Sequence, residues 1–143
     1  MRILYPILLG LFLPLLLTAQ WQSLPNPNSS AVRQIMEFNG QLLVSDDYGL
    51  ARSFDGGVHW QRITSDGPFG QIMPSGQDIY GIKNHPQTGL KSLLKSADTG
   101  QSWDTISTFI MNEPSSMAEA NGCIYIMTNQ AFGPVATVEV FDL

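Results

Sequence analysis

The sequence predicts an all-β fold, built as roughly two and a half to three four-stranded antiparallel sheets that repeat along the chain. Three observations carry this. Residues 53–60 read SFDGGVHW and residues 96–103 read SADTGQSW, so Ser-x-Asp-x-Gly-x-x-Trp occurs twice with its aspartates 43 positions apart. A self-similarity at a period of about 20 to 50 residues marks one supersecondary unit that stacks on copies of itself. Turn-forming pairs recur in phase with it, at Asn39-Gly40, Ser75-Gly76 and Asn121-Gly122. A shorter echo, Trp21-Gln22-Ser23-Leu24, resembles Trp60-Gln61-Arg62-Ile63 and Trp103-Asp104-Thr105-Ile106.

The first unit occupies residues 31–64. Asn39-Gly40 tolerates positive φ at both positions and is flanked by apolar residues, so it joins Ile35–Phe38 to Gln41–Val44 as a hairpin. Asp46-Asp47-Tyr48-Gly49 is a second turn, leading into Leu50–Phe54. Adjacent strand residues point to opposite faces, so a turn explains Asp46 and Asp47 better than a paired-carboxylate site does. Asp55-Gly56-Gly57 makes a third turn, and Trp60–Ile63 closes the unit as an outer strand. Four short strands joined by three tight turns form an antiparallel meander.

The second unit, residues 69–108, repeats the plan: Ser75-Gly76, a strand over 78–83, a longer turn over 84–89, a strand over 90–95, then Asp98-Thr99-Gly100 and an outer strand from Trp103. The third, residues 115–143, is incomplete; it restarts at Asn121-Gly122, with strands over 123–128 and 136–141. Asp142 falls 44 residues after Asp98, where a third box would begin. In a ring of such sheets, the orphan outer strand at 21–24 is the piece that would pair with the last sheet and close the circle.

Residues 1–19 place one cation, Arg2, ahead of an uncharged Leu-rich run that ends in Thr18-Ala19, the pattern of a secretory signal. Pro6 and Pro14 interrupt the run and no basic cluster follows it, which argues against a membrane anchor. Cleavage after Ala19 leaves residues 20–143 as an exported chain, more acidic than the formal −5 of the whole sequence. With seven scattered Lys and Arg, no basic patch suits nucleic acid. Cys123 is the single cysteine, so no internal disulfide forms; its strand, 122–127, reads as buried, and the thiol as a small core group.

The eight recurring residues suit a sharp hairpin. The carboxylates of Asp55 and Asp98 can accept backbone N–H groups stranded by the turn. Gly57 and Gly100 supply positive φ, Ser53 and Ser96 can tie the incoming strand to the turn, and Trp60 and Trp103 bury a ring while keeping the indole N–H near a polar partner. The same residues resemble the Asp-box, or BNR repeat, of sialidases, sortilin-type receptors, xyloglucanases and photosystem II stability and assembly factors. The resemblance covers nearly all of residues 21–143. It implies a partial β-propeller whose boxes lie on outer hairpins, remote from the central pocket where ligands bind, and it leaves activity open.

Sialidase chemistry in that family needs three arginines converging on a carboxylate. After residue 19 the arginines are Arg33, Arg52 and Arg62; the last two flank an outer hairpin and are expected to face solvent, so the three do not converge. His59 and His85 lack a partner at metal-ligand spacing and read as solvated loop residues. Asn28-Ser29-Ser30 matches a glycosylation acceptor, relevant only in a eukaryotic secretory pathway. No residue is assigned to catalysis, to a metal or to a cofactor.

Propellers use about 4 to 8 blades, so residues 20–143 require either a longer chain or assembly of copies to close a ring; the longer chain is the expectation, because the sequence ends where the next box starts. The functional expectation is an exported, non-catalytic binding or assembly scaffold for an unidentified protein or carbohydrate. Its candidate binding loops are Asn84 to Gly89, Met111 to Ala120 and Ala131 to Pro134. The alternative is the N-terminal part of a glycoside hydrolase, sialidase-like or xyloglucanase-like, with its acid pair elsewhere.

Overall fold

The computed structural model describes residues 23–25, 31–110, 112–130 and 136–142. Eleven strands occur among them: β1 (Val32–Phe38), β2 (Gln41–Asp46), β3 (Leu50–Ser53), β4 (Gln61–Thr64), β5 (Phe69–Ser75), β6 (Asp78–Asn84), β7 (Lys91–Ser96), β8 (Asp104–Phe109), β9 (Asn112–Ala120), β10 (Cys123–Gln130) and β11 (Ala136–Asp142). They form three antiparallel meanders in the orders β1-β2-β3-β4, β5-β6-β7-β8 and β9-β10-β11. No helix among the described residues is long and apolar enough to cross a membrane. The expected signal segment, residues 1–19, and the acceptor Asn28-Ser29-Ser30 lie outside the described residues.

The hairpins follow from their turn residues. Asn39 and Gly40 take φ of 52° and 76°, and Asn121 and Gly122 take 53° and 74°; two successive left-handed residues give the turn whose twist matches the flanking strands. The middle hairpin differs by one position. Ser75 pairs with Asp78, so its loop is Gly76-Gln77, with glycine first at φ 59°, rather than Ser75-Gly76.

Sheet stacking buries both faces of the middle sheet. On one side Phe38, Leu43 and Leu50 of the first sheet meet Phe69, Ile72, Ile79 and Leu94 of the second. On the other, Tyr80, Ile82, Leu93 and Phe109 meet Met117, Ile124 and Ile126 of the third. The near-continuous apolar run in β6 is the consequence, since a strand covered on both faces has no reason to alternate. Ile124 and Ile126 are fully buried, each stabilising the second junction by about 2 kcal/mol.

Several expectations change. The segment Met111 to Ala120, expected as a long loop, is strand β9 from Asn112 onward, while Met111 itself lies outside the described residues. Its sequence lacks alternation because only Pro114 and Met117 turn inward, and Pro114 sits at the register shift opposite Met127 and Thr128, where an imino residue is tolerated. Cys123 does lie in a strand, but half-exposed at its start; Ile124, Ile126 and Thr128 face the core instead. Asp142 is not a box residue: Phe141 pairs with Ile124 as Ser53 pairs with Leu42 and Ser96 with Ile79, so Asp142 falls one position ahead of the aspartate site. The 84–89 turn starts after Asn84 and is closed by His85 N–H on Leu90 O (2.8 Å) and Gly89 N–H on His85 O (2.8 Å). Ala131 to Pro134 lies outside the described residues, as do Trp21 and Gln22 of the expected orphan strand; Ser23 to Pro25 are not in a strand.

Candidate functional site

Both octapeptide turns are held by one hydrogen-bond pattern. Ser53 Oγ donates to Asp55 Oδ1 (2.8 Å) and accepts from Gly57 N–H (2.8 Å), while Ser96 Oγ donates to Asp98 Oδ1 (2.8 Å) and accepts from Gly100 N–H (2.8 Å). Asp55 Oδ1 accepts from His59 N–H at 2.9 Å, and Asp98 Oδ1 accepts from Gln101 and Ser102 N–H at 3.0 and 2.8 Å. The serines therefore satisfy the glycine donors, and each carboxylate reaches three or four residues on. These donors favour the ionised carboxyl. His59, through its N–H and then its ring, together with Ser53, holds Asp55 far below the usual carboxylate range. The Ser102 hydroxyl and N–H bring Asp98 down to about 2. His59, expected as a solvated loop residue, is 86 % exposed, with Nδ1 2.6 Å from Asp55 Oδ2.

The glycines admit neighbouring sheets. A Cβ added at Gly100 would lie 3.5 Å from Leu50 Cδ1 and 3.8 Å from Ile63 Cδ1 of the first sheet; one added at Gly57 would lie 2.8 Å from Leu24 Cδ1. Leu24 thus stands to the first turn as Ile63 stands to the second. The two indoles differ in their N–H partner. Trp60 Nε1 donates to Pro25 O (2.9 Å), whereas Trp103 Nε1 donates to Gly100 O of its own turn (3.0 Å) and its ring tilts onto Phe69 with centroids 4.7 Å apart.

A second inter-sheet device was missed in the sequence. Gln34 on β1 donates from Nε2 to Ile72 O (2.7 Å) and accepts at Oε1 from Ile72 N–H (2.8 Å). Gln71 on β5 does the same to Met117, at 3.2 and 2.7 Å. Each side-chain amide thereby imitates a strand and pairs with the first strand of the next sheet. The signal was present as Gln-Ile-Met at 34–36 and again at 71–73. Register places Ser116 at that position in the third sheet, since Gln34 opposes Ser45, Gln71 opposes Ile82 and Ser116 opposes Met127.

The arginines serve separate partners. Arg33 pairs with Asp47 at 2.7 Å, and Arg52 bonds Gln61 (3.1 Å) with its guanidinium 5.0 Å from the Phe54 ring centre. Arg62, expected to face solvent, instead turns inward: it is 22 % exposed and grips the fully buried Asp46 through two contacts of 2.9 and 2.5 Å. Burial pushes the Asp46 carboxyl up, but Arg62 and the N–H groups of Tyr48 and Gly49 outweigh it and leave it below the ordinary value. Cys123 Sγ donates to Asp142 Oδ1 (3.3 Å), which raises the thiol above its usual range and makes it a poor nucleophile. No cluster of three His, Cys, Asp or Glu suited to a metal occurs among the described residues.

Among the described residues, two clefts are candidate ligand sites. One, of about 250 Å³, lies where the end of the first sheet meets the second and joins Trp103 to Asp66, Lys83, His85 and Ser102. The other, of about 410 Å³, lies between the second and third sheets and is lined by Tyr80, Lys95, Ile106, Val140 and Phe141. Lys95 is bound there by Asp78 (2.8 Å), whose carboxylate, with Tyr80, raises the amine above its usual range. No model of a known protein family matches the chain, and no curated protein does.

Proposed function

We propose that this chain is an exported, non-catalytic scaffold built from Asp-box blades of a β-propeller, and that it binds a protein or carbohydrate ligand in the clefts between blades. The observation that carries this reading is the shared turn network. Ser53, Asp55 and Gly57 make the same contacts as Ser96, Asp98 and Gly100, so their polar atoms are engaged within the turns and serve to hold blade corners. Export is argued from the cationic head and apolar run of residues 1–19. Rigid sheets with clefts between them are suited to recognition by surface complementarity.

The 250 Å³ cleft is the favoured ligand site, because an indole face beside Asp66, Lys83 and His85 offers a stacking surface ringed by hydrogen-bonding groups. The test uses isotope-labelled protein titrated with sialyllactose and with a xyloglucan oligosaccharide. Binding at this cleft shifts the amides of Lys83, His85 and Ser102, and Lys83→Ala with His85→Ala abolishes the shift while the thermal transition stays in place. Release of free sugar from either probe would overturn the non-catalytic reading in favour of hydrolysis.

A further inference from the structure

The polar groups of the 250 Å³ cleft divide unevenly between acceptors and donors. Asp66 presents a carboxylate on a side chain that is 77 % exposed. Gln101 donates its Nε2 to Asp98 O (3.0 Å) and keeps Oε1 as an acceptor; Ser102 donates its hydroxyl to Asp98 Oδ2 (2.6 Å) and keeps a lone pair. Acceptors gathered in one cleft suit the hydroxyl groups of a sugar, and the Trp103 indole suits the apolar face of its ring.

Lys83 is the exception. Its side chain is only 15 % exposed, yet the ammonium stands 3.8 Å from Asp66 Oδ2, beyond hydrogen-bond range, and 5.9 Å from the centre of the Phe69 ring. An ammonium carries three donors, and among the described residues this one makes no hydrogen bond. A cation largely withdrawn from water and short of an acceptor favours an anion in the cleft.

The walls that carry these groups are braced. Gly67, next to Asp66, donates its N–H to Tyr48 O (3.0 Å), and a Cβ added there would lie 3.4 Å from Pro86 Cγ, next to His85. Between Lys83 and His85, Asn84 N–H donates to Pro68 O (3.1 Å). The His85 ring is fixed through Nε2, 3.0 Å from Ser92 Oγ, which in turn lies 3.1 Å from Thr108 Oγ1. A site already in shape before its ligand arrives has a lower ordering cost on binding.

From this inventory we infer that the cleft takes one uronic acid unit of an acidic polysaccharide. The carboxylate sits on Lys83, ring hydroxyls on Asp66, Gln101 and Ser102, and the ring face on Trp103. At about 250 Å³ the cleft falls below the roughly 300 to 1,000 Å³ of pockets for drug-sized molecules, so a single six-membered ring bearing a carboxylate fills it better than a bulkier nine-carbon acid. Lys83 offers one positive charge, which matches a monoanion; the second charge of a phosphate would face Asp66 unmatched. The inference rests on reading this cleft as the ligand site and adds the charge and size of the ligand.

Titration of isotope-labelled protein with trigalacturonate, its fully methyl-esterified form and sodium acetate tests it. Trigalacturonate shifts the amides of Lys83, His85 and Ser102 and binds roughly tenfold or more tightly than the ester, as expected for a charge-assisted contact. Acetate, which has the charge without the ring, leaves these amides in place over the same concentration range. Lys83→Met keeps an apolar stem over Phe69 and removes the discrimination between acid and ester at an unchanged thermal transition. Asp66→Asn removes the competing carboxylate and tightens trigalacturonate binding, a gain that loss of a merely structural contact would not produce. Acid and ester binding equally, Lys83→Met still telling them apart, Asp66→Asn giving no gain, or acetate matching trigalacturonate each overturns the uronate inference, while saccharide binding in the cleft leaves the scaffold reading standing. No shift with trigalacturonate, its ester, sialyllactose or the xyloglucan oligosaccharide overturns the cleft as the ligand site and the inference with it.

Discussion

Replacing Gln34 with Leu keeps a side chain of similar bulk on β1 but deletes both hydrogen bonds to Ile72, of 2.7 and 2.8 Å. Ile72 is 1 % exposed, so water reaches its backbone groups poorly once the amide is gone. Two hydrogen bonds at about 1 kcal/mol each, plus part of the desolvation penalty of the stranded N–H and C=O, give a loss of about 2 to 3 kcal/mol. For a domain of this size a loss of 1 kcal/mol moves the midpoint by about 3 to 4 °C, so the transition should fall by about 8 °C. Circular dichroism melts and urea titrations read this directly, and the urea slope should stay constant because the surface exposed on unfolding is the same. Gln34→Glu separates the clamp from generic packing. At neutral pH its carboxylate faces Ile72 O and is destabilising; protonation restores a donor, so the folded-state pKa is raised and the penalty is relieved as pH falls below it. A Gln34→Leu midpoint within about 2 °C of the parent, or a Gln34→Glu variant with no recovery in acid, would refute the clamp.

Three further outcomes can be measured alongside. Arg62→Leu leaves the fully buried Asp46 carboxylate with the Tyr48 and Gly49 N–H groups alone, costing about 3 kcal/mol at neutral pH; because burial then dominates, this variant, unlike the parent, should gain stability on acidification, seen as a rising urea midpoint. Gly81→Ala places a methyl 2.7 Å from the Phe69 ring and 3.3 Å from Trp103, and the overpacking should cost about 1 to 3 kcal/mol in a denaturant melt. Asp98→Ala strands the Gln101 and Ser102 donors, which are exposed enough for water to replace the carboxylate, so the loss is about 1 kcal/mol. Asp98 has a folded-state value near 2 against about 3.9 unfolded, so its contribution is present above pH ~4 and lost as pH falls toward ~2. A plot of midpoint against pH should be flatter for Asp98→Ala than for the parent across that window.

How far the sequence predicts this structure depends on the scale of the device. Hairpins set by two adjacent residues were legible, as at Asn39-Gly40 and Asn121-Gly122, because positive φ is a local demand. The middle hairpin slipped by one residue, since Ser-Gly and Gly-Gln are both acceptable turns and only pairing across β5 and β6 decides between them. Strand β9 was illegible because its inward face offers only Pro114 and Met117, and the side chain that pairs with the Met117 backbone, Gln71, lies 46 residues earlier. Arg62 was misplaced for a related reason: nothing near it in the chain announces Asp46, 16 residues earlier, as a buried carboxylate in need of a cation. The glutamine clamps fall between these cases. Their Gln-Ile-Met repeat is visible, but reading it requires knowing that β1 packs beside β5 and β5 beside β9.

Two inter-sheet devices, the glutamine clamp and the buried apolar row, fail together in the third sheet, and that coincidence orders the stability of the molecule. Sheet one contributes a clamp and an apolar row to sheet two; sheet two contributes both to sheet three; sheet three presents Ser116 where the clamp would be and leaves Met127 uncovered. In a stack where each unit contacts only its neighbours, stability is a sum of unit terms and junction terms. The middle sheet has two junctions and each end sheet one, so the free chain should open from its ends. Among the end sheets, the third has one strand fewer among the described residues, and its β10 and β11 amides should exchange with solvent faster than those of β6 and β7. Covering the third sheet with a further sheet would supply the absent junction term and bring β10 to the protection of β6, so the difference in exchange between these two strands measures how far the third sheet is covered in solution.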